Sequence, residues 1–276
     1  MKIAFIGHVC VDKNVIRGVT ETFYGGGVIH GAVTSKRLGA EVSVLTKCAE
    51  ADRERFTGFR DAAVDVCYLP SPCSTSIRNV YPSENPDDRQ SFLISHADPF
   101  SAADFAALEA DVVHLNPLWL GEFPFDLLPQ LKRRAGILAG DAQGFLRRAG
   151  HDGKMTYQDL PEKRAVLPLF DVFKVDSKEA QILTGHEDVR ESARAIRGLG
   201  PKIVILTHRE GVCVFDGEEY YESPFTGFTL EGRTGRGDTC TAAFLVGRQR
   251  MSLHEATALA AEVTSRKMQY RGPFRG

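Results

Sequence analysis

The residues best suited to chemistry lie in a glycine-rich turn near the carboxyl end of the chain. Residues 232–238 read Gly-Arg-Thr-Gly-Arg-Gly-Asp and run directly into a segment with helically spaced apolar side chains. A glycine turn before a helix start leaves backbone N–H groups unpaired, and such groups bind phosphate-type anions. We therefore predict an anion hole at Gly235, Arg236 and Gly237, with Asp238 placed to accept the proton of a substrate hydroxyl. On position alone, Asp238 is more often only a helix N-cap.

A second glycine cluster lies near the amino end. Residues 25–32 read Gly-Gly-Gly-Val-Ile-His-Gly-Ala, and Leu-Gly-Ala follows at 38–40. Taken alone, this run is equally a simple turn before a helix. The P-loop pattern and a strand-linked G-x-G-x-x-G are both absent from the sequence, so the turn at 235–238 is the best candidate for handling a nucleotide.

The two glycine clusters together resemble the two signatures of the ribokinase-like (PfkB) family of sugar and nucleoside kinases. Residues 234–238, followed by Ala-Ala-Phe at 242–244, resemble the carboxyl-terminal signature, from which Arg233 and Arg236 depart. Residues 25–32 resemble the amino-terminal signature, with His30 in place of an Asn. The two signatures occur in the family's order, and the resemblance extends over nearly the whole chain.

The resemblance implies acceptor binding near the amino end. Asp12 follows the first predicted strand and matches a family aspartate that binds substrate hydroxyls through its two acceptor oxygens. Acceptor contacts are also implied at Gly26, Gly27 and His30. Residues 141–147, Asp-Ala-Gln-Gly-Phe-Leu-Arg, resemble a segment of the inositol-kinase-like branch.

A third segment, residues 174–185, resembles the family stretch that orders magnesium. Glu179 is implied to hold Mg²⁺ through water, together with Asp176, which replaces an Asn and adds an oxygen ligand of the kind Mg²⁺ accepts. Nucleotide contacts are implied at Asp176, Thr207, Gly211, Gly235 and Gly237. The turn from Thr207 to Gly211 is one residue shorter than the family's and lacks its middle glycine.

These parts imply an ATP-dependent small-molecule kinase. Asp238 would take the proton of a hydroxyl on a sugar, nucleoside or polyol as that oxygen attacks the γ-phosphate of ATP. The turn at 235–238 would stabilise the charge that develops on the phosphoryl group. Arg236 either adds a guanidinium contact to that phosphate or points to solvent or to a carboxylate.

Two other functions compete with this interpretation. A catalytically silent nucleotide- or metabolite-binding sensor or scaffold of the same fold is motivated by His30, Arg233 and the shortened turn, whereas Asp238 and Glu179 argue against it. Residues 236–238 also form an Arg-Gly-Asp tripeptide, but an adhesion ligand needs an exposed extracellular loop, and the sequence has neither a secretion signal nor a disulfide framework.

Short apolar runs alternate with amphipathic segments along the chain and would position these residues. Runs that are apolar on both faces are typical of buried parallel strands. We predict strands at Lys2–Ile6, Glu41–Leu45, Val64–Leu69, Asp111–Leu115, Gly136–Ala139, Asp171–Lys174 and Ile203–Thr207. We predict helices at Phe105–Ala110, Lys178–Thr184, Val189–Leu199, Thr239–Arg250 and Leu253–Tyr270, the last two as a packed pair. The fold class is therefore α/β, a three-layer, doubly wound, mostly parallel sheet of the ribokinase-like type with a small β lid.

The lid is predicted from two segments that alternate polar with β-branched or aromatic residues, Asn14–Tyr24 and Ser74–Ser95, the second around a turn at Pro82–Arg89. Half-exposed antiparallel strands fit that alternation. We expect one kinase domain over residues 1–276, with the lid near 14–24 and 74–95 closing over the substrate and offering a surface for a homodimer. Arg78 and Arg89 on the lid either reach the substrate or are ordinary exposed charge.

Composition excludes several classes of function. The 276 residues are 43% hydrophobic and 25% charged, as in globular proteins, and the formal net charge is −2. That balance predicts no nucleic-acid partner, and the short apolar start predicts no membrane segment. Six cysteines without metal-ligand spacing suit reduced thiols in the cytoplasm.

Overall fold

The computed structural model describes residues 1–82, 88–227, 229 and 232–276. The strands are β1 (Lys2–Ile6), β2 (Cys10–Ile16), β3 (Val19–Gly25), β4 (Glu41–Cys48), β5 (Asp65–Pro70), β6 (Thr75–Tyr81), β7 (Gln90–Ser95), β8 (Val112–Leu115), β9 (Ile137–Asp141), β10 (Arg147–Ala149), β11 (Met155–Tyr157), β12 (Val172–Asp176), β13 (Ile203–Thr207), β14 (Gly211–Phe215) and β15 (Tyr220–Pro224). The α-helices are α1 (Gly27–Arg37), α2 (Thr57–Asp61), α3 (Leu128–Arg134), α4 (Gln143–Leu146), α5 (Lys163–Val166), α6 (Ser177–Thr184), α7 (Val189–Gly198), α8 (Arg236–Gly247) and α9 (Leu253–Lys267).

A large sheet runs through the centre of the molecule. In the described part of the chain it has nine strands in the order β15-β14-β13-β12-β9-β8-β1-β4-β5. The strands from β13 to β5 pair in parallel, and β14 and β15 extend the sheet as antiparallel strands. The predicted mostly parallel α/β sheet is confirmed.

Helices cover both faces of the large sheet because its central strands are apolar on both sides. In β1, Ile3 and Phe5 belong to one buried cluster, with residues of α1, α8 and α9. Ala4 and Ile6 belong to the other, with residues of α3, α6 and α7. The alternation of side chains along a strand thus produces the three predicted layers. The predicted pairing of the last two helices is confirmed, since a Cβ on Gly247 of α8 would lie 3.2 Å from the Ala256 Cα of α9.

A small sheet projects from the large one. The described residues give it four strands, in the order β3-β2-β6-β7. The pair β2 and β3 and the pair β6 and β7 form two antiparallel hairpins, as predicted. However, β2 and β6 pair in parallel, so the prediction of a purely antiparallel sheet is wrong. Each of the two continues from a strand of the parallel sheet, β2 from β1 and β6 from β5. Because β1 and β5 run in the same direction, β2 and β6 leave the sheet in the same direction. Most of the predicted turn at Pro82–Arg89, residues 83–87, lies outside the described residues.

The predicted helix at Phe105–Ala110 is wrong. The chain forms only a short 3₁₀ turn at Ala102–Phe105, which Ser101 and Asp104 cap reciprocally. Phe105 is fully buried and stacks on Phe100 and Phe123. The N–H groups of Ala106 and Leu108 donate to the carbonyls three residues back, those of Ala103 and Phe105. Phe105 and Leu108, which are three residues apart, both pack on the core through these 3₁₀-type turns, so burial of the two side chains needs no α-helix. The other predicted elements are present, with ends that differ by a few residues.

Candidate active site

The glycine turn leads into α8 at the carboxyl ends of the central strands. Gly235 is the N-cap and has a φ of 81°, in the left-handed region that favours glycine. Asp238 is the third residue of the helix, so it is not the cap. The first N–H groups of a helix have no intrahelical partners. The Arg236 N–H donates to Arg233 O at 3.1 Å, so the predicted anion hole rests on the N–H groups of Gly235 and Gly237.

Asp238 lies against the amino-terminal glycine cluster. A Cβ placed on Gly27 would lie 2.6 Å from Asp238 Oδ1, and Asn116, just after β8, donates its side-chain N–H to the same oxygen at 3.3 Å. Burial, followed by the charge of Asp141, raises the pKa of Asp238 to about 6, while Lys174 opposes the shift. The carboxylate is thus a stronger proton acceptor than an ordinary aspartate.

Lys174, on β12, lies beside the turn and among carboxylates. Its Nζ is 3.2 Å from Asp141 Oδ2 and 3.6 Å from Glu179 Oε2, and a Cβ on Gly237 would be 2.7 Å from it. Burial disfavours the charge on Lys174, but the neighbouring carboxylates outweigh it and raise its pKa well above the ordinary value. A buried, permanently charged ammonium therefore lies next to the predicted anion hole.

Asp176 and Glu179 form a reciprocal capping box at the start of α6. Glu179 N donates to Asp176 Oδ1 at 2.8 Å, and Asp176 N donates to Glu179 Oε2 at 2.7 Å. Burial, followed by the charge of Asp176, raises the pKa of Glu179 to about 8. No group of three His, Cys, Asp or Glu side chains among the described residues is arranged to hold a metal. These carboxylates therefore fit Mg²⁺ only through water, since that ion keeps several of its own waters.

His30 packs under the turn. A Cβ on Gly235 would lie 2.2 Å from atoms of the His30 ring, and His30 Nδ1 is buried without a hydrogen-bond partner in the described part of the chain. Burial, with the charge of Lys267, lowers the pKa of His30 to about 3, so the ring is neutral. The predicted acceptor contact of His30 remains a prediction.

Asp12 and a network of polar side chains form the face of the small sheet nearest the glycines. Asn79, on β6, donates to Asp12 Oδ1 at 3.4 Å and to Asn14 Oδ1 at 3.1 Å, and Ser91 Oγ on β7 donates to Asn79 Oδ1 at 2.7 Å. A Cβ on Gly25 would lie 3.7 Å from Asp12 Oδ2. Burial raises the pKa of Asp12.

The glycine cluster at 25–27 thus joins the two polar groups of the site. Asp12 and Asn79 lie at one end of this short segment, and Asp238 and Asn116 lie at the other. A small molecule with several hydroxyls, placed over the glycines, would meet acceptors and donors on both sides.

The predicted nucleotide turn is tight. Thr207 ends β13, His208 N donates to Gly211 O at 2.9 Å, and Gly211 begins β14. A Cβ on Gly211 would lie 2.4 Å from Ser223 O, so packing of β15 already requires a glycine there. The Arg236 guanidinium lies over the Phe225 ring, 5.9 Å from its centre. Nucleotide contacts at Thr207 and Gly211 and a phosphate contact of Arg236 remain predictions.

Sequence reasoning missed several residues of the site. These residues are Asn116, Asn79, Lys174 and Lys267. Asn116 and Lys174 have apolar neighbours in sequence, and a polar residue within or just after a predicted buried strand was the available signal. Asn79 and Lys267 each have a polar neighbour and leave no such signal. Arg78 is exposed on the opposite face of β6 from Asn79, over the Phe92 ring. Arg89 is exposed too, although its charge reaches Asp12.

Known proteins resemble this chain over its whole length. A solved pyrophosphate-dependent kinase of the ribokinase family, complexed with a pyrophosphate analogue and myo-inositol, is 52% identical, with a TM-score of 0.94 over 99% of this chain and 97% of that one. Another solved structure, of a pyrophosphate-dependent myo-inositol-1 kinase converted into a myo-inositol-3 kinase by an Asn-to-Leu and a Ser-to-Leu substitution, is 51% identical, with a TM-score of 0.92 over 99% and 95% of the two chains.

A curated relative is more distant. The cytidine kinase of Thermococcus kodakarensis is 27% identical over 95% of this chain and 94% of its own. The described helices include none with the length and apolar character needed to cross a bilayer. All six cysteines, each within the described ranges, are free thiols.

The sequence profile of the pfkB family of carbohydrate kinases matches residues 3–274. This match extends over both glycine clusters, the large sheet and the small sheet. The chain belongs to the PfkB family of carbohydrate kinases, phosphotransferases that act on hydroxyl groups.

Proposed function

We propose that this protein phosphorylates a hydroxyl of myo-inositol or a closely related cyclic polyol, with pyrophosphate as the phosphoryl donor. The observation that carries the proposal is that about half of the residues are identical, over nearly the whole chain, to kinases described as pyrophosphate-dependent and acting on myo-inositol. The paired polar groups on either side of residues 25–27 support a substrate with several hydroxyls.

ATP, the donor implied by the family signature, is the second candidate. The turn at 235–238 would bind the terminal phosphates of either donor, because both present the same phosphoryl group. Pyrophosphate has no base or ribose, so its recognition rests only on charge and on hydrogen bonds to phosphate oxygens. Lys174 beside Gly237, together with Arg233 and Arg236 in the turn, supports a donor that consists of phosphate alone.

The transfer follows from the placement of these groups. Asp238 takes the proton of the acceptor hydroxyl while the hydroxyl oxygen forms a bond to the nearer phosphorus of pyrophosphate. The bond from that phosphorus to the bridging oxygen breaks. Inorganic phosphate leaves with the bridging oxygen and its electron pair. Backbone N–H groups of Gly235 and Gly237 stabilise the charge on the transferring group, and Lys174 stabilises the charge on the leaving phosphate. The Arg236 N–H would join them only by releasing the Arg233 carbonyl, to which it donates at 3.1 Å.

Magnesium would be held, through water, by Asp176 and Glu179. When bound it would neutralise part of the donor's negative charge. Lys174 already supplies one fixed positive charge from within the protein.

The small sheet would select the acceptor. Asp12 offers two oxygens to neighbouring hydroxyls, and Asn79 holds that carboxylate in place. In the relative whose product changed from the 1- to the 3-phosphate, the substituted residues are an asparagine and a serine. Asn79 and Ser91 are an asparagine and a serine joined by a hydrogen bond, and we assign them the choice of hydroxyl. A homodimer through the small sheet stays a prediction.

A direct assay tests the proposal. The purified protein is incubated with myo-inositol and Mg²⁺ plus either pyrophosphate or ATP, and inositol phosphate is followed by phosphorus NMR. We expect turnover with pyrophosphate, and a loss of about 10³-fold or more in Asp238→Asn, because a general base contributes up to about 10⁴-fold. Asp61→Asn, an exposed aspartate on α2, is the matched control and should keep full activity.

The outcomes separate the candidates. Turnover with ATP but not pyrophosphate would replace the donor and leave the kinase assignment intact. Asp238-dependent turnover on other polyols or nucleosides, but not on inositol, would replace the acceptor. No Asp238-dependent turnover with either donor on any acceptor would favour the silent sensor.

A further inference from the structure

A buried lysine holds the back of the glycine turn. Lys267, the last residue of α9, is fully buried, which is rare for lysine unless its charge is compensated. Its Nζ donates to Gly232 O at 2.5 Å and to Thr234 O. Within the described residues, both hydrogen bonds of this ammonium therefore go to backbone carbonyl oxygens of the turn.

These carbonyls are linked rigidly to the predicted anion hole. The C=O of Thr234 and the N–H of Gly235 belong to one planar trans peptide unit, so they point in opposite directions. An ammonium bound to that carbonyl from behind fixes the direction in which the Gly235 N–H points in front. The left-handed φ of Gly235, 81°, then carries the chain into α8, where the next N–H groups follow.

The charge of Lys267 also reaches the reacting groups. It opposes the rise in the pKa of Asp238, and it is the second cause, after burial, of the lowered pKa of His30. Burial lowers the pKa of Lys267 itself to about 8, against the opposing charge of Asp238. At neutral pH the protonated, cationic form still predominates.

We propose that the ammonium of Lys267 is a built-in monovalent cation, which positions the glycine turn for the donor phosphate and makes the activity independent of alkali cations in solution. Lys267 is a positioning residue, since it acts on the donor through the backbone of residues 232–235.

The chemistry of the two carbonyl groups indicates that Lys267 acts there as a cation and not only as a hydrogen-bond donor. Backbone carbonyl oxygens are the ligands with which proteins replace the hydration shell of K⁺. The ammonium group carries the same single charge and meets the same oxygens. Truncation of the side chain in Lys267→Ala would leave a cavity edged by the Gly232 and Thr234 carbonyls, and K⁺ or NH₄⁺ would be drawn to it.

The kinetic test compares the wild type with Lys267→Ala at constant ionic strength, in chloride salts of tetramethylammonium, Na⁺, K⁺ and NH₄⁺. We expect the wild type to vary by less than about twofold among the four salts, since its cation is covalently attached. We expect Lys267→Ala to lose about tenfold or more in kcat/KM for the donor in tetramethylammonium, and K⁺ or NH₄⁺ to restore most of that loss. KM for the acceptor should change little.

Lys267→Gln provides a second variant with a greater chance of folding, because its amide N–H can still donate to a carbonyl. It lacks the charge and leaves less space, so we expect reduced kcat/KM for the donor without rescue by K⁺. A merely structural role for Lys267 would leave the response to salts the same in both variants.

The second readout needs no catalysis, so it separates this inference from the proposed function on which the kinetic arm rests. We expect K⁺ to raise the thermal unfolding midpoint of Lys267→Ala relative to tetramethylammonium, and to leave the midpoint of the wild type unchanged, because an ion that binds only the folded state stabilises it. Dependence of wild-type activity on K⁺ would overturn the inference. So would a folded Lys267→Ala that keeps full activity in tetramethylammonium, or one that no cation rescues or stabilises.

Discussion

The reactivity of Asp238 depends on opposing effects at one carboxyl group. Burial and the charge of Asp141 favour the protonated acid, whereas Lys174, the residue's own backbone N–H and Lys267 favour the carboxylate. The balance places the pKa at about 6, below neutral pH yet far above that of a free aspartate. A base tuned in this way is ionised under ordinary conditions and still has substantial proton affinity.

The pH profile of kcat/KM should reflect this balance. Because Asp238 acts in its unprotonated form, the rate should fall about tenfold per pH unit below about pH 6 and level off above it. Asn116→Ala removes a hydrogen bond to the carboxylate and should move this limb to higher pH. Initial rates with saturating donor, between about pH 5 and pH 8, measure both profiles. A flat profile over that range would exclude Asp238 as the base.

The pair formed by Asn79 and Ser91 carries a prediction about regiochemistry. The double variant Asn79→Leu/Ser91→Leu removes the hydrogen bond from Asn79 to Asp12 and the bond from Ser91 that orients Asn79, and its larger apolar side chains narrow the acceptor side of the site. We expect the product to shift to a different inositol monophosphate, at a rate within about tenfold of the wild type. Separation of the products by chiral chromatography measures the shift.

Arg78→Leu is the control for this pair, because Arg78 lies on the same strand but on the opposite face and is exposed. It should leave the product unchanged. An unchanged product in the double variant would contradict the assignment of Asn79 and Ser91.

Some of these residues could be predicted from the sequence and others could not. Gly235, Gly237 and Asp238 leave a local signature because a left-handed turn and a close approach to Lys174 require glycine. Asn116, Lys174 and Lys267 belong to β8, β12 and α9 or their ends, which come together only through the strand order and helix packing of the folded protein. A short motif therefore predicts one side of the site, and tertiary structure supplies the other.

The same limit applies to whole elements. Continuous apolar runs predicted the buried strands well, because a strand covered on both faces needs no polar alternation. Parallel pairing of β2 with β6 was not predictable from either segment, since both hairpins read as antiparallel. The wrong helix prediction at Phe105–Ala110 shows the converse, because 3₁₀-type turns bury the same apolar side chains there without an α-helix.

Asp171 makes a testable connection between elements. It precedes β12, and its carboxylate accepts hydrogen bonds from Lys132 of α3 and from the Leu138 N–H of β9, while Lys202 lies 3.0 Å away. Burial raises its pKa, but these partners outweigh burial and lower it. We expect Asp171→Asn to reduce the free energy of unfolding by about 1–3 kcal/mol, the cost of weakening hydrogen bonds to a charged group. Urea unfolding at neutral pH measures it.

The control for this prediction is Lys202→Ala. The Lys202 side chain is 74% exposed, so its loss should change the stability by less than about 0.5 kcal/mol. The pKa of Asp171 is lower in the folded protein than in the unfolded chain. Its contribution to the free energy of unfolding is therefore fully present above the unfolded pKa, about 3.9, and is lost as the pH falls through the folded pKa. A difference between the wild type and Asp171→Asn that persists unchanged at strongly acidic pH would contradict the assignment.

At the scale of the whole molecule, the two sheets differ in how well they are buried. Every residue of β13 and β14 is buried, whereas most of β3 is exposed. Backbone hydrogen bonds of the small sheet should therefore open more readily than those of the large one. An acceptor bound between Asp12 on the small sheet and Asp238 on α8 would join the two parts.

Hydrogen exchange followed by mass spectrometry should detect this connection. With myo-inositol at about 100 times its Kd, mass action stabilises the bound state by about 2.7 kcal/mol, and we expect slower exchange mainly in peptides of β2, β3, β6 and β7. Peptides of β13 and β14 exchange only through global unfolding, which bound inositol also suppresses, so we expect them to stay unexchanged over the same time with and without inositol. Asp12→Asn at the same inositol concentration should lose most of the protection, because the acceptor loses its charged partner on the small sheet. No added protection of the small sheet, or protection retained in Asp12→Asn, would show that the acceptor does not bridge the two sheets.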